Sequence, residues 1–266
     1  MKKNLSQRGL SLVEITVVVL VIGILIIGSL YGLRVVQNAK IKAHVIQISV
    51  YQNAAQSFRK QYGTWPGDFA QATTMLNDCN AVRQCEDGNG DQVVASRNNS
   101  TDCRMPAFTT AESAFPCAPA AAASVANGSE LTQFWRHLAL SRLITDLRMR
   151  PFRYNWGDSM PKTRITGGIQ LIYEGNNGNN FVNGLTGHFF TMSRDPRVLV
   201  FNMNAAGNGM IAIDMAETLD KEMDDGLPNT GNFRAVGNWG CGGPGETNAY
   251  NGTALRQCTT FYKFDQ

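Results

Sequence analysis

Catalytic vocabulary is scarce in this sequence. It has no G-x-S-x-G, H-E-x-x-H, Walker or dinucleotide-binding motif. That weighs mildly against enzymatic function, since catalytic residues can also be dispersed. Only three histidines occur, His44, His137 and His188, and they lack ligand spacing. No C-x-x-C pair accompanies them, so zinc is disfavoured. Net charge is low as well: +3 over 266 residues gives no reason to propose nucleic-acid binding. From Ile15 to Leu33 charge is absent altogether.

That uncharged run is the first positive feature. Residues 10–33 are apolar or small apart from Ser11, Glu14, Thr16, Ser29 and Tyr31, and are long enough to cross a bilayer as a helix. Lys2, Lys3 and Arg8 precede the run, and Arg34 follows it. An ordinary secretory signal has a shorter apolar core with its cleavage site after it. Here the polar-to-apolar boundary, Gly9-Leu10, comes before the run. Cleavage at that boundary removes the basic leader and keeps the helix.

Glu14 is the unusual residue of this segment. A carboxylate in an apolar helix costs several kcal/mol at mid-bilayer and normally has a partner. The new α-amino group at Leu10, supplied by a neighbouring subunit, is one such partner. Pairing the two favours a single axial register, a well-attested use of buried charge. The plainer alternative is a signal anchor whose Glu14 lies near the headgroups.

The stretch Gly9-Leu10-Ser11-Leu12-Val13-Glu14 resembles the class III leader and methylation motif of type IV prepilins and type II secretion pseudopilins. The resemblance implies that a prepilin peptidase cuts between Gly9 and Leu10, that Leu10 is N-methylated, and that Glu14 is the acid that acts in assembly. Two departures stand out. The first mature residue is Leu10 where the family most often has phenylalanine, and no proline kinks the apolar run, which carries Gly23, Gly28 and Gly32 instead. These glycines permit local melting or close helix packing on one reading, and are ordinary transmembrane glycines on the other.

Beyond Arg34 the helical pattern continues and becomes amphipathic. Ile41, Val45, Ile48, Tyr51, Ala55, Phe58 and Tyr62 recur at three- and four-residue steps, with Lys40, Lys42, Gln47, Gln52, Arg59 and Lys60 on the other face. Gly63 and Pro66 end it. One helix over residues 10–62 would be about 80 Å long, half of it a protruding stem. A second helix is expected from Ser129 to about Arg148, and a short one over Ile211 to Met223, ending at Gly226. Strands are expected at Gly168 to Glu174, Gly187 to Met192, Val198 to Met203, Gly231 to Val236 and Thr259 to Phe264. Residues 63–128, including the alanine-rich Ala118 to Ala126, read as an elaborated connection.

The expected fold is therefore α+β, a long N-terminal helix packed on an antiparallel sheet, which is also the type IV pilin-like fold that the resemblance implies. The division is a leader at 1–9, a transmembrane and assembly half at 10–33, an amphipathic half at 34–62, and a head at 63–266. Six cysteines in Gly- and Asn-rich sequence suggest disulfides, hence a location in the periplasm or outside the cell. Cys79 with Cys85, and Cys103 with Cys117, are the local pairings; sequence alone leaves the connectivity open. The resemblance implies a C-terminal loop closed by Cys241 and Cys258.

Two acidic stretches invite a metal. Asp87-Gly88-Asn89-Gly90-Asp91 has the alternating oxygens of a calcium loop, with Asp87, Asn89 and Asp91 as ligands. Gln92 and Asn98 stand where such a loop has its glycine and its distal glutamate, so a solvated turn is favoured over calcium. Asp220, Glu222, Asp224 and Asp225 read first as an acidic helix end and second as a subunit contact to Lys40, Lys42, Arg59 or Lys60. A pseudopilin-like calcium loop is the third reading. Trp65, Trp156 and Trp239 lie in turn-rich sequence, where core packing is the usual role and a binding surface the alternative.

On the family resemblance, the expected protein is a non-enzymatic, cofactor-free filament subunit. Its partners are other pilin subunits, the prepilin peptidase and the inner-membrane assembly machinery. It spans the inner membrane once with its head in the periplasm, then moves to a pilus at the cell surface. Alternatives are a type II secretion pseudopilin, a minor or tip pilin with an adhesive or DNA-binding head, and a membrane-anchored periplasmic enzyme that retains its leader.

Overall fold

The computed structural model describes residues 11–80, 85–94, 130–148, 155–175, 182, 184–194, 210–237, 241–242, 248–251 and 257–265. Helix α1 (Leu12–Tyr62) is unbroken over 51 residues, about 77 Å at 1.5 Å per residue. It runs straight through Gly23, Gly28 and Gly32, where an added Cβ would meet nothing within 4 Å. Gly63, in the left-handed region at φ 80°, ends it and donates its N–H to Arg59 O.

The two halves of α1 differ in surroundings. Every large apolar side chain between Leu12 and Val36 is exposed. Burial starts at Ile41 and recurs at His44, Gln47, Ile48, Tyr51, Ala54, Ala55 and Phe58. The period is as expected from sequence, but Gln47 is not on the solvent face. Its Nε2 donates to Lys162 O at 2.8 Å and to Tyr51 Oη at 3.0 Å, and Tyr51 Oη donates to the Asp146 carboxylate. These bonds meet the amide nitrogen, while Gln47 Oε1 is buried with no hydrogen-bond partner among the described residues.

Helix α2 (Ala72–Met75) is a single turn, and helix α3 (Glu130–Leu140) crosses the centre of the head. Every residue of α3 from Glu130 to Leu138 is buried, so that stretch has no solvent face. The helix ends eight residues earlier than expected. Arg142 takes the left-handed conformation at φ 62°, with Leu143 N donating to Leu138 O and Arg142 N to Ala139 O. That is a Schellman ending with arginine where glycine is usual.

Strands β1 (Gly168–Glu174), β2 (Gly187–Ser193), β3 (Ile211–Ala212), β4 (Phe233–Val236) and β5 (Gln257–Lys263) form one antiparallel sheet. β1 pairs with β2 along its whole length, Gly168 facing Ser193 and Glu174 facing Gly187. β5 is the hub: it pairs with β2 (Thr191 to Phe261), β4 (Ala235 to Thr260) and β3 (Ile211 to Cys258). The expected helix over Ile211 to Met223 is thus helix α4 (Ile213–Met223), since Ile211 and Ala212 are drawn into β3 by β5. The expected strand at Gly231 begins at Phe233, and the one at Thr259 begins at Gln257. Val198 to Met203 and Ala118 to Ala126 lie outside the described residues.

Two hydrophobic clusters join helix to sheet. In the larger, Tyr51, Phe58, Trp65, Phe134, Trp135, Phe189, Phe190, Phe261 and Phe264 are all buried. Tyr51 meets Trp135 edge-on, Trp135 stacks on Phe190, and Phe190 stacks on Phe264 at 4.3 Å. Each such pair adds about 1 kcal/mol beyond its buried area. The second cluster sets Ile41 against α4, β4 and the Cys241–Cys258 bridge. The observed architecture is α+β: a long N-terminal helix whose lower half packs on an antiparallel sheet.

Candidate assembly helix and the carboxylate cluster of the head

Among the described residues, the stem packs against no other element. Leu12 is 79% exposed, Ile27 70% and Tyr31 71%. Its mean hydropathy over the best 18-residue window is 2.7, and none of that window is buried. The helix is long and apolar enough to cross a membrane. Glu14 lies in its first turn, exposed; its N–H donates to Ser11 O at 3.0 Å, and its side chain has no hydrogen bond or ion pair to a described residue. An acid there complements the positive end of the helix dipole. Gly9 and Leu10 lie outside the described residues.

The head places the remaining candidates. Cys79 and Cys85 are bridged with Cα atoms 4.9 Å apart, and Cys241 and Cys258 with Cα atoms 5.5 Å apart. Cys103 and Cys117 lie outside the described residues, as does Trp239. Trp65 is buried against Phe264 and His188, with the Arg59 guanidinium 4.4 Å from its ring centroid. Trp156 is partly buried and donates its Nε1–H to Arg194 O. Core packing is therefore the role of Trp65, and no surface row of tryptophans appears among the described residues.

The histidines are structural. His137 is fully buried; its Nδ1 accepts Gly67 N–H and its Nε2–H donates to Glu86 O, both at 2.9 Å. Burial pushes its pKa down to about 4, against a smaller upward pull from Glu86 O and Asp87. His44 is likewise lowered to about 4 by burial. His188 Nε2 accepts Val94 N–H at 3.0 Å while Nδ1 faces Asp265 Oδ2 at 2.8 Å.

No protein-family model, curated protein or solved structure matches this chain.

Asp87, Asn89 and Asp91, read first as a solvated turn and second as a contiguous calcium loop, turn to separate partners. Asp87 turns toward α2, where both its oxygens accept from Thr73 Oγ1 and Oδ1 also accepts from Thr73 N–H at 2.8 Å. Asn89 Oδ1 accepts Asp91 N–H, closing an Asx turn. Asp91 joins a different set instead: Asp68, Asp91 and Glu130 each offer a carboxylate oxygen, all within 4.8 Å of one another. Asp68 and Glu130 were not legible as partners of Asp91, because the three come from separate segments of the chain.

The second acidic stretch is satisfied internally. Asp220, fully buried, accepts Tyr250 Oη–H at 2.7 Å and Gly226 N–H at 3.2 Å. Burial raises its carboxyl pKa to about 6, partly offset by those hydrogen bonds. Asp224 accepts Phe233 N–H at 2.8 Å, and Asp225 accepts Leu227 N–H at 2.9 Å. Glu222 is exposed. These bonds hold the turn that carries α4 into β4, and Asp220, Asp224 and Asp225 each offer a carboxylate oxygen within 4.8 Å of the others.

Proposed function

We propose that this chain is a structural subunit of a type IV pilus-like filament, assembled through α1, and not an enzyme. The observation that carries the reading is the contrast within one helix: its lower half is packed into the head, while its upper half exposes eighteen large apolar side chains between Leu12 and Val36. Burying such a surface is worth on the order of tens of kcal/mol. Lipid supplies that burial before assembly, and neighbouring α1 helices supply it in a filament. Transfer from one to the other is then nearly neutral in hydrophobic terms, which allows a subunit to leave a bilayer.

Glu14 supplies the register. Sliding one stem past another costs little where both are uniformly apolar, so a single carboxylate paired with the neighbour's Leu10 amino group selects one offset. The Gly9-Leu10 boundary supports cleavage by a prepilin peptidase and methylation of Leu10, as the motif implies. The subunit then spans the inner membrane once with its head in the periplasm, and moves to the cell surface within the pilus.

The test is intact-mass spectrometry on filaments sheared from the native cell surface, for the wild type and for Glu14→Ala. The expected wild-type species starts at Leu10 and carries one methyl group. The expected variant is processed normally but assembles poorly. Normal filament yield from Glu14→Ala would remove the role given to Glu14, and a retained Met1–Gly9 leader would sink the assignment. A processed wild-type chain found only in the envelope, or in trace amounts, would move the reading to a pseudopilin or minor pilin.

A further inference from the structure

We propose that Asp68, Asp91 and Glu130 form a binding site for a calcium ion that clamps three segments of the head together. Their offered oxygens lie within 4.8 Å of one another, a span that an ion with ligands about 2.4 Å away can bridge.

The segments are brought there by glycines. Gly67, at φ 93°, passes so close to the start of α3 that a Cβ would come within 2.6 Å of Glu130 O. Gly88 is pressed against the Gly67 carbonyl and the Asp68 backbone, where any side chain would collide. The turn after α1, the loop that follows the Cys79–Cys85 bridge, and the start of α3 thus meet backbone to backbone. Three carboxylates in that junction repel one another unless a cation or protons intervene.

Asp68 gives the independent sign of a ligand. It has no exposed surface. Its Oδ2 accepts Thr64 Oγ1–H at 2.7 Å and Gln92 N–H at 2.9 Å, while its Oδ1 is buried with no hydrogen-bond partner. An unmet buried carboxylate oxygen is costly, and a bound cation meets it.

The donor set selects the ion. All three side chains offer hard oxygen, which suits calcium or magnesium over transition metals. His137, the nearest imidazole candidate, has both ring nitrogens engaged, by Gly67 N–H and by Glu86 O. Asp91 is exposed, so water can complete the six to eight ligands that calcium takes. The ligands arise from three backbone segments with no rigid octahedral frame, which favours calcium over magnesium.

The experiment is calorimetric titration of calcium chloride into the full chain in detergent after EDTA treatment, paired with thermal unfolding. The expected result is one calcium per chain and an unfolding midpoint raised by several degrees. Asp91→Asn should weaken binding at least tenfold, while leaving the EDTA-treated midpoint unchanged or higher, because it removes repulsion from an exposed position. Asp68→Asn should abolish binding. Asp87→Asn should bind as the wild type does, because Asp87 belongs to Thr73. Absence of calcium binding at millimolar concentration would overturn the proposal. So would calcium binding that survives Asp91→Asn, binding lost in Asp87→Asn, or magnesium binding as tight as calcium.

Discussion

Acid should destabilise the head through His137 by an amount that its surroundings set. The side chain is fully buried and neutral, accepting Gly67 N–H at Nδ1 and donating to Glu86 O from Nε2. Its pKa falls from 6.5 to about 4. The unfolded chain takes up a proton as pH drops through 6.5, and the folded chain declines it until about pH 4. The stability contributed by the neutral imidazole is therefore complete above pH 6.5 and lost as pH falls toward 4. Between pH 7.5 and 5.0 the loss is about 2 kcal/mol by proton linkage. His44 acts in the same direction, and Asp220 and Asp68, whose carboxyl pKa values are raised, act in the opposite one. The contribution of His137 is isolated by comparing wild type with His137→Gln in urea unfolding, in detergent with EDTA, followed by tryptophan fluorescence. The stability gap between the two should shrink by about 2 kcal/mol from pH 7.5 to pH 5.0. A gap that stays constant would refute the reasoning, since it would mean that His137 titrates alike in the folded and the unfolded chain.

Three other outcomes follow from the same contacts. A chain beginning at Arg34 should be monodisperse without detergent in size-exclusion chromatography, because burial on α1 starts only at Ile41; aggregation of that chain would mean the stem supports the head. Replacing Cys241 and Cys258 with serine should lower head stability by about 3 kcal/mol in urea, and replacing Cys79 and Cys85 by about 2 kcal/mol, following loop size. Arg142→Gly should raise stability by about 1 kcal/mol, because the left-handed conformation strains arginine and not glycine; thermal unfolding reads this directly.

The long helix was legible because two signals agree along it. An uncharged run passes into a three-four spacing of apolar residues and stops at Gly63. His44 and Gln47 escaped that reading because polarity suggests exposure; Gln47 Nε2 meets Lys162 O, a partner that only the fold supplies. The end of α3 was hidden for a related reason: Arg142 adopts a glycine's conformation with no glycine or proline nearby to signal it. β3 is two residues long, too short for any period, and exists because β5 draws it in. The local Cys79–Cys85 pairing was within reach of sequence. The carboxylate cluster was not, since residues 68, 91 and 130 share no spacing and meet only through close backbone approach at Gly67 and Gly88.

The position of β5 bears on the order of events during synthesis. Residues 257–263 join β2, β3 and β4, yet they follow every other described element in the chain. Until they arrive, the β1–β2 hairpin has no neighbour beyond β2, and the faces that later bury Phe189, Phe190 and Phe134 stay wet. The stem, in contrast, needs only local hydrogen bonds and is ready as soon as it is made. A ribosome that stalls before codon 257 would therefore leave a chain with its stem formed but unable to close its head. Such a chain displays unpaired strand edges and wet aromatic surface, features that proteases and chaperones can recognise.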